Sequence, residues 1–394
     1  MYLNVVKMKK ILICFGLLFV LSLTVPVGAY AAVEADESGT AAERIYQEQS
    51  DALHTQALFD ALPQKTRDSL AAMGITSLNY TQLTDIRFSD ALKELADALK
   101  RESSTPLAGL SACVGMMLLC SLTEGFGTTL TDNKLQTLSS AVGTAAVAAA
   151  VIVPLCSTIG RVSEIISGAS GFMLLYVPIM AGLMISSGSQ AGGTSYYSLM
   201  MTAGNVISVV SAKLIMPMMN VFLMLSVTSS LSPKMKLSAV CEAVLNGAKK
   251  LLTLLMSLFV TILSLQTFIT SSMDHVSKRA LRFAVGSFVP VVGSVLGDAL
   301  TAFNGSLELL KSGAGVFVVI AAAVLILPVL GECFIWQFAL FVMSAVSEIL
   351  SLPQLRQLCT TVSKAVGMLV ALLASMLVVF VISTVLILLA GNSL

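Results

Sequence analysis

The chain has 394 residues, of which 56% are hydrophobic and 11% charged, with a formal net charge of +1 and a mean hydropathy of +0.90. Soluble domains carry roughly 25% charged residues, so this composition excludes a soluble globular protein, and the near-zero net charge gives no indication of nucleic-acid binding. The long apolar blocks favour helices over a β-barrel, whose strands would alternate over ~10-residue segments. The predicted fold class is all-α: a polytopic α-helical membrane protein.

The N-terminal segment has the order of a secretory signal. Three lysines precede the apolar run ILICFGLLFVLSLTVPV, and the small residues AYA (29–31) allow cleavage after Ala31. We therefore expect residues 1–31 to be a signal peptide, with an uncleaved signal anchor as the alternative. In either case residues 32–105 are expected outside the cytosol.

Residues 32–105 form the polar block of the chain. Within it, FSDALKELADALKRE repeats apolar residues at helical spacing, and DALHTQALFDAL predicts an earlier helix that ends at Pro63. A region of about 70 residues buries little core alone. We expect it to pack on the membrane domain, on itself or on a partner; a solvated helical linker is the alternative.

From Pro106 onward the chain is apolar with short polar breaks. A crossing needs about 20 apolar residues, and eight runs are candidates. They lie near 106–123, 135–157, 169–187, 195–229, 251–272, 283–302, 314–349 and 365–390. The fourth and seventh are too long for one crossing, and each contains a proline-bearing stretch, AKLIMPMMN and AVLILPVLG respectively. Each could be one long kinked helix or two broken halves.

An internal repeat is predicted from three nearly constant separations along the chain. The pairs Pro178 and Pro290, Pro217 and Pro328, and Lys250 and Lys364 are 112, 111 and 114 positions apart. The predicted divisions are 106–160 for the first two membrane spans, 161–272 for repeat 1 and 273–394 for repeat 2. Many transport folds are built from such repeats, with a site where the halves meet. Three crossings per unit would invert the copies and four would make them parallel; the distribution of lysine and arginine leaves both open.

The two proline-bearing stretches predict helix breaks beside a polar interior. A mid-helix proline leaves the carbonyl four residues earlier without its donor, and in lipid such a carbonyl is tolerated only against protein or water. A lysine near mid-membrane costs roughly 2.5–3.5 kcal/mol unless it is paired or reaches the interface; a structural kink with a snorkelling Lys213 is the alternative. The candidate path or helix-break residues are Pro178, Lys213, Pro217, Asn220, Pro290, Asp298, Pro328 and Glu332.

Sequence motifs for enzymatic chemistry are missing. The chain has no G-x-x-x-x-G-K-[ST], no H-E-x-x-H, no G-x-S-x-G and only two histidines. We therefore expect no enzyme, no cofactor, and no catalytic or metal-binding residues. Any transport must draw on a gradient or on energy supplied by another protein.

The layout resembles the stage III sporulation protein AE family of endospore-forming bacteria. The resemblance is carried by the signal, by FDALPQKTRDSLAAMGI in the polar block, and by YVPIMAGLMISSGS and KLIMPMMN in the membrane domain. It implies a multi-pass component of the channel-like complex that joins the mother cell and the forespore. The implied location is the mother-cell-derived membrane around the forespore, and the implied partners are other stage III channel proteins, including an ATPase and ring-forming subunits.

Three hypotheses follow for function. The first is a membrane subunit of a secretion or feeding channel that partner proteins power. The alternative is an autonomous secondary transporter, a permease with an internal-repeat fold. The third is a purely structural scaffold. In each of them the lipid bilayer is the immediate surrounding.

Overall fold

The computed structural model of the protein describes residues 56–75, 88–127, 133–187, 189–231, 237–288 and 293–391. Within these ranges the chain is helical and forms no strand, so the predicted all-α class is confirmed. In chain order, the helices are α1 (Gln56–Asp60), α2 (Gln64–Ala72), α3 (Phe88–Gly127), α4 (Asn133–Ser186), α5 (Gln190–Val210), a π-helical segment (Ser211–Ile215), α6 (Met216–Leu231), α7 (Leu237–Phe288), α8 (Gly293–Ile349) and α9 (Pro353–Gly391). The predicted signal peptide lies outside the described residues.

Six helices in the described part of the chain are long and apolar enough to cross a bilayer, if α5, the π-helical segment and α6 are counted as one continuous helix. Their apolar portions are Ala96–Leu122, Val142–Ser186, Gln190–Ser230, Leu237–Ser264, Gly313–Ile349 and Pro353–Val385. The predicted multi-pass membrane protein is thereby confirmed. The internal repeat stays a prediction, and the divisions proposed at 160/161 and 272/273 both fall inside continuous helices, α4 and α7.

Helix α4 joins two runs that the sequence separates. The sequence predicts runs 135–157 and 169–187 as distinct spans, yet α4 continues through both and through Arg161 and Glu164 between them. The physical reason is that Arg161 finds carboxylate partners on neighbouring helices, so the backbone need not leave the bundle there. The apolar part of α4 spans 45 residues, which is roughly 68 Å at 1.5 Å per residue, about twice the ~30 Å hydrocarbon layer.

Three of the four candidate prolines lie within helical segments that do not end there. Pro178 and Pro328 lie inside the continuous helices α4 and α8. At Pro217 the hydrogen-bond ladder shifts register instead: the π-helical segment precedes it, and the N–H of Met216 donates to the carbonyl of Ser211. Such a bulge reassigns the backbone partners that a proline removes. Pro290 lies outside the described residues.

The helices pack around a common apolar core, and the consecutive helices α3 and α4 form an antiparallel pair. In the α3–α4 hairpin, Glu102 pairs with Arg161, and Cys120 lies against Gly143. Helix α8 packs along α9 over much of its length. Large side chains fill the interior, and the largest of those that are fully buried include Trp336, Tyr176, Phe172, Phe222 and Phe317.

The two short helices α1 and α2 pack on this bundle. The rings of Phe59 and Phe317 lie 6.5 Å apart, and Pro63 lies against Gly168 of α4. Leu58 and Leu70 are fully buried. Of the packings considered for this region, the described helices therefore show contact with the membrane domain, while its location outside the cytosol stays a prediction.

Candidate functional site

A buried ion-pair cluster joins helices α3, α4 and α8. Glu332 of α8 has no exposed surface, and its Oε1 accepts a hydrogen bond of 2.7 Å from the hydroxyl of Thr158 on α4. The guanidinium of Arg161 donates to the same oxygen and also to Glu102 of α3. One cation thus lies between two carboxylates that come from different helices.

Helical spacing and close packing place these side chains. Thr158 and Arg161 are three residues apart, so they lie on one face of α4, and that face meets α8 at Glu332. Helix α3 comes close to α8 because Gly331 has no side chain: a Cβ at that position would collide with Leu99. The glycine therefore brings the carboxylate-bearing turn of α3 next to Arg161.

The cluster retains unused hydrogen-bonding capacity. Three of its buried atoms have no hydrogen-bond partner among the described residues: Glu332 Oε2, Arg161 Nε and the indole Nε1 of Trp336. Trp336 lies one turn after Glu332 on α8 and is fully buried. Because Trp336 follows Glu332 by four residues, its indole lies on the same face of α8 as the carboxylate.

The charges of the cluster are unequally exposed. The side chains of Arg161 and Glu102 are 27% and 25% exposed, whereas that of Glu332 is 0% exposed. The cluster therefore reaches from the surface of the bundle to its interior. Ionisable groups at such a depth are expensive to bury and commonly mark ion or substrate pathways in membrane proteins.

A second polar cluster lies between α4, α5 and α9. The hydroxyls of Tyr196 and Tyr176 are 2.7 Å and 3.2 Å from the Oγ of Ser383, and all three residues are buried. The neighbouring Thr384 donates to the carbonyl of Phe380 within α9. Hydrogen bonds between helices of this kind fix the relative positions of helices in an apolar surrounding.

The predicted site residues do not form one group. Among those whose side-chain surroundings are described, Glu332 is the one that joins the ion-pair cluster. Lys213, Pro217 and Asn220 are exposed on α5–α6, and Asp298 lies in the second turn of α8. The polar path expected beside these residues stays a prediction.

Sequence reasoning missed the partners of Glu332. Arg161 could have been recognised, since it is a charged residue between two long apolar runs of the sequence. Glu102 could not be recognised from the sequence, because it lies in a polar stretch with many other charged residues. Over the described part of the chain no group of three or more potential metal ligands occurs.

Comparison with known proteins identifies one family, which is the family that the sequence resembles. The family model for stage III sporulation protein AE matches residues 76–391. Stage III sporulation protein AE of Bacillus subtilis (strain 168) is 24% identical over 238 residues, which is 59% of this chain and 59% of that protein. The matched part is thus less than two thirds of the length of this relative. No solved structure matches.

Proposed function

Because the chain belongs to the stage III sporulation protein AE family, we propose that it is a multi-pass membrane subunit of a sporulation secretion or feeding channel that links mother cell and forespore. The observation that carries this proposal is the family match, which includes all six apolar helices from α3 onward. The chain contains no sequence motif for nucleotide hydrolysis. In this proposal the energy comes from partner proteins.

The proposed location is the mother-cell-derived membrane around the forespore. In this proposal residues 32–105 face the space outside the cytosol, where they contact ring-forming subunits of the complex. An ATPase of the complex acts from the cytosolic side. The packing of α1 and α2 on α4 and α8 supports this arrangement, because it couples the N-terminal region mechanically to the membrane helices.

The ion-pair cluster is the proposed polar element of the transport path. It combines a fully buried carboxylate, a guanidinium that reaches the bundle surface, and spare donors and acceptors. A purely apolar contact would hold three helices together at lower desolvation cost. The presence of a charged cluster at this position supports a role that needs charge.

An autonomous secondary transporter is the second candidate. The specific feature in its favour is again Glu332, since a buried membrane carboxylate next to a cation is a common coupling site for protons or ions. Purified protein in liposomes would then move a solute down an ion gradient without partners. Absence of flux across a broad solute screen, together with flux once partner proteins are added, would exclude this candidate.

The test of the channel proposal is deletion of the gene in the sporulating host. We expect sporulation to stop after engulfment, with a loss of heat-resistant spores that a wild-type copy restores. A deletion strain that forms heat-resistant spores at normal yield would exclude the channel function. Vegetative growth of the deletion strain is the control, because a channel used only in sporulation is not needed there.

A further inference from the structure

A groove of about 610 Å³ runs along one face of α7. The described residues that line it all belong to this helix and are exposed: Lys249, Lys250, Thr253, Leu254, Ser257, Leu258 and Thr261. We propose that this groove binds a phospholipid with an anionic headgroup. The phosphate lies against Lys249 and Lys250, and an acyl chain lies along Leu254 and Leu258.

The position of the two lysines along the helix fits a headgroup. Residues 251–273 contain no charged side chain, and a helix of this length spans roughly 34 Å at 1.5 Å per residue, enough for one crossing of the ~30 Å hydrocarbon layer. Lys249 and Lys250 directly precede this run. The proposal takes residues 251–273 as the crossing part of α7, which places both lysines at the level of the phosphate groups and extends the rest of the groove into the acyl layer.

A third lysine lies at the same level on the neighbouring helix. Helices α6 and α7 are consecutive and pack on each other, with Met218 next to Gly247. Lys213 precedes Met218 by five residues and Lys250 follows Gly247 by three, so the two lysines lie at similar heights in an antiparallel pair. Lys213 is also exposed, and it adds positive charge to the same boundary.

Charge complementarity favours an anion at the mouth of the groove. Within the described part of the chain no carboxylate forms an ion pair with Lys249 or Lys250, whereas Lys364 on α9 is paired with Glu242. Two adjacent uncompensated ammonium groups at a membrane boundary attract anionic lipid headgroups. A second copy of this chain could cover the groove instead of a lipid only if it placed carboxylates against Lys249 and Lys250.

The wall of the groove suits an acyl chain. The hydroxyl of Thr253 donates to the carbonyl of Lys249 at 2.9 Å, and that of Thr261 donates to the carbonyl of Ser257 at 2.8 Å. Because both hydroxyls donate within the helix, they need no polar partner from the occupant of the groove. The lining is thus polar at the lysine end and apolar beyond it.

The proposal is tested by native mass spectrometry of the full-length protein, released from nanodiscs of palmitoyl-oleoyl phosphatidylglycerol or phosphatidylcholine. We expect retention of phosphatidylglycerol to exceed that of phosphatidylcholine by roughly 30-fold, at about fivefold for each lysine. The double variant Lys249→Gln/Lys250→Gln should lose this preference. The matched control, Lys93→Gln/Lys100→Gln, removes two exposed lysines from α3 and should keep it. Equal retention of both lipids by the wild type, or an unchanged preference in the Lys249→Gln/Lys250→Gln variant, would overturn the proposal.

Two further arms distinguish the occupant. Glycerol phosphate, which carries the charge without acyl chains, should fail to displace phosphatidylglycerol at millimolar concentration; full displacement would show a site for small anions and contradict the acyl groove. Ser257→Phe should fill the groove and reduce lipid retention while both lysines remain. If Ser257→Phe instead leaves lipid retention unchanged and converts an oligomer to a monomer, the face is an interface between copies of this chain and the proposal fails.

Discussion

Replacement of Arg161 by methionine tests whether the ion-pair cluster stabilises the contact between α3, α4 and α8. Methionine keeps much of the apolar stem but removes the guanidinium that donates to Glu102 and Glu332. Glu102 is 25% exposed and can turn toward solvent, but Glu332 has no exposed surface and keeps Thr158 as its described partner. The substitution therefore destabilises the protein mainly because the buried carboxylate of Glu332 loses its cation.

The expected loss follows from the burial of Glu332. Removing one member of a buried ion pair leaves an uncompensated charge and costs about 3–5 kcal/mol of stability. Replacing both members by apolar residues of similar volume is neutral or stabilising by about 1–4 kcal/mol. We therefore expect Arg161→Met to destabilise strongly, and Arg161→Met/Glu332→Met to recover at least wild-type stability.

The assay is unfolding of the purified protein from mild detergent by titration with dodecyl sulfate. Trp336 is the single tryptophan of the chain and is fully buried beside Glu332, so its emission reports on the cluster, while circular dichroism reports on the helices. The matched control is Arg356→Met, because the Arg356–Glu348 pair is 3.1 Å long but about half exposed. Its loss should stay below about 1 kcal/mol. If Arg161→Met costs no more than this control, the reasoning on the cluster is wrong.

Two further predictions concern packing between helices, each checked by the same titration. Gly204→Val should cost about 1–3 kcal/mol, because a Cβ at this position already lies 2.5 Å from the sulfur of Met173 and α5 would be pushed from α4. Gly171→Ala, whose Cβ meets no atom within 4 Å, should be neutral or stabilise by up to about 1 kcal/mol; equal losses at both glycines would contradict this packing. Tyr196→Phe should cost about 1 kcal/mol, since it removes the 2.7 Å hydrogen bond to Ser383, and an unchanged midpoint would show that this bond contributes nothing.

Composition and apolar run length were sufficient to predict the class of the protein. An 11% charged chain cannot cover a soluble surface, and blocks of 20 or more apolar residues fold as helices in lipid whatever their neighbours are. The same reasoning from local sequence selected Glu332 as a candidate site residue, because a polar residue in an apolar run indicates a polar interior. These inferences depend on the chemistry of a segment and its solvent alone.

The partners of Glu332 and the continuity of the helices could not be predicted in this way. Arg161 and Glu102 are 171 and 230 positions from Glu332 in the sequence, and only the packing of α3, α4 and α8 brings them together. The same pairing explains why α4 is a single helix, since Arg161 is neutralised in place. At Pro328 the sequence predicts a carbonyl without its donor, but the surrounding helices decide whether the helix ends there, and α8 continues.

The central claim is that the charged cluster contributes charge to a transport path and does more than hold helices together. The most direct test is the yield of heat-resistant spores from a deletion strain that carries Arg161→Met/Glu332→Met, with the amount of folded protein in the membrane measured in parallel. We predict wild-type amounts of this double variant in the membrane and a spore yield reduced by about tenfold or more, because the path has lost its ionisable groups. A double variant that is present at wild-type amounts and supports a wild-type spore yield would contradict the claim and leave the cluster as a structural contact.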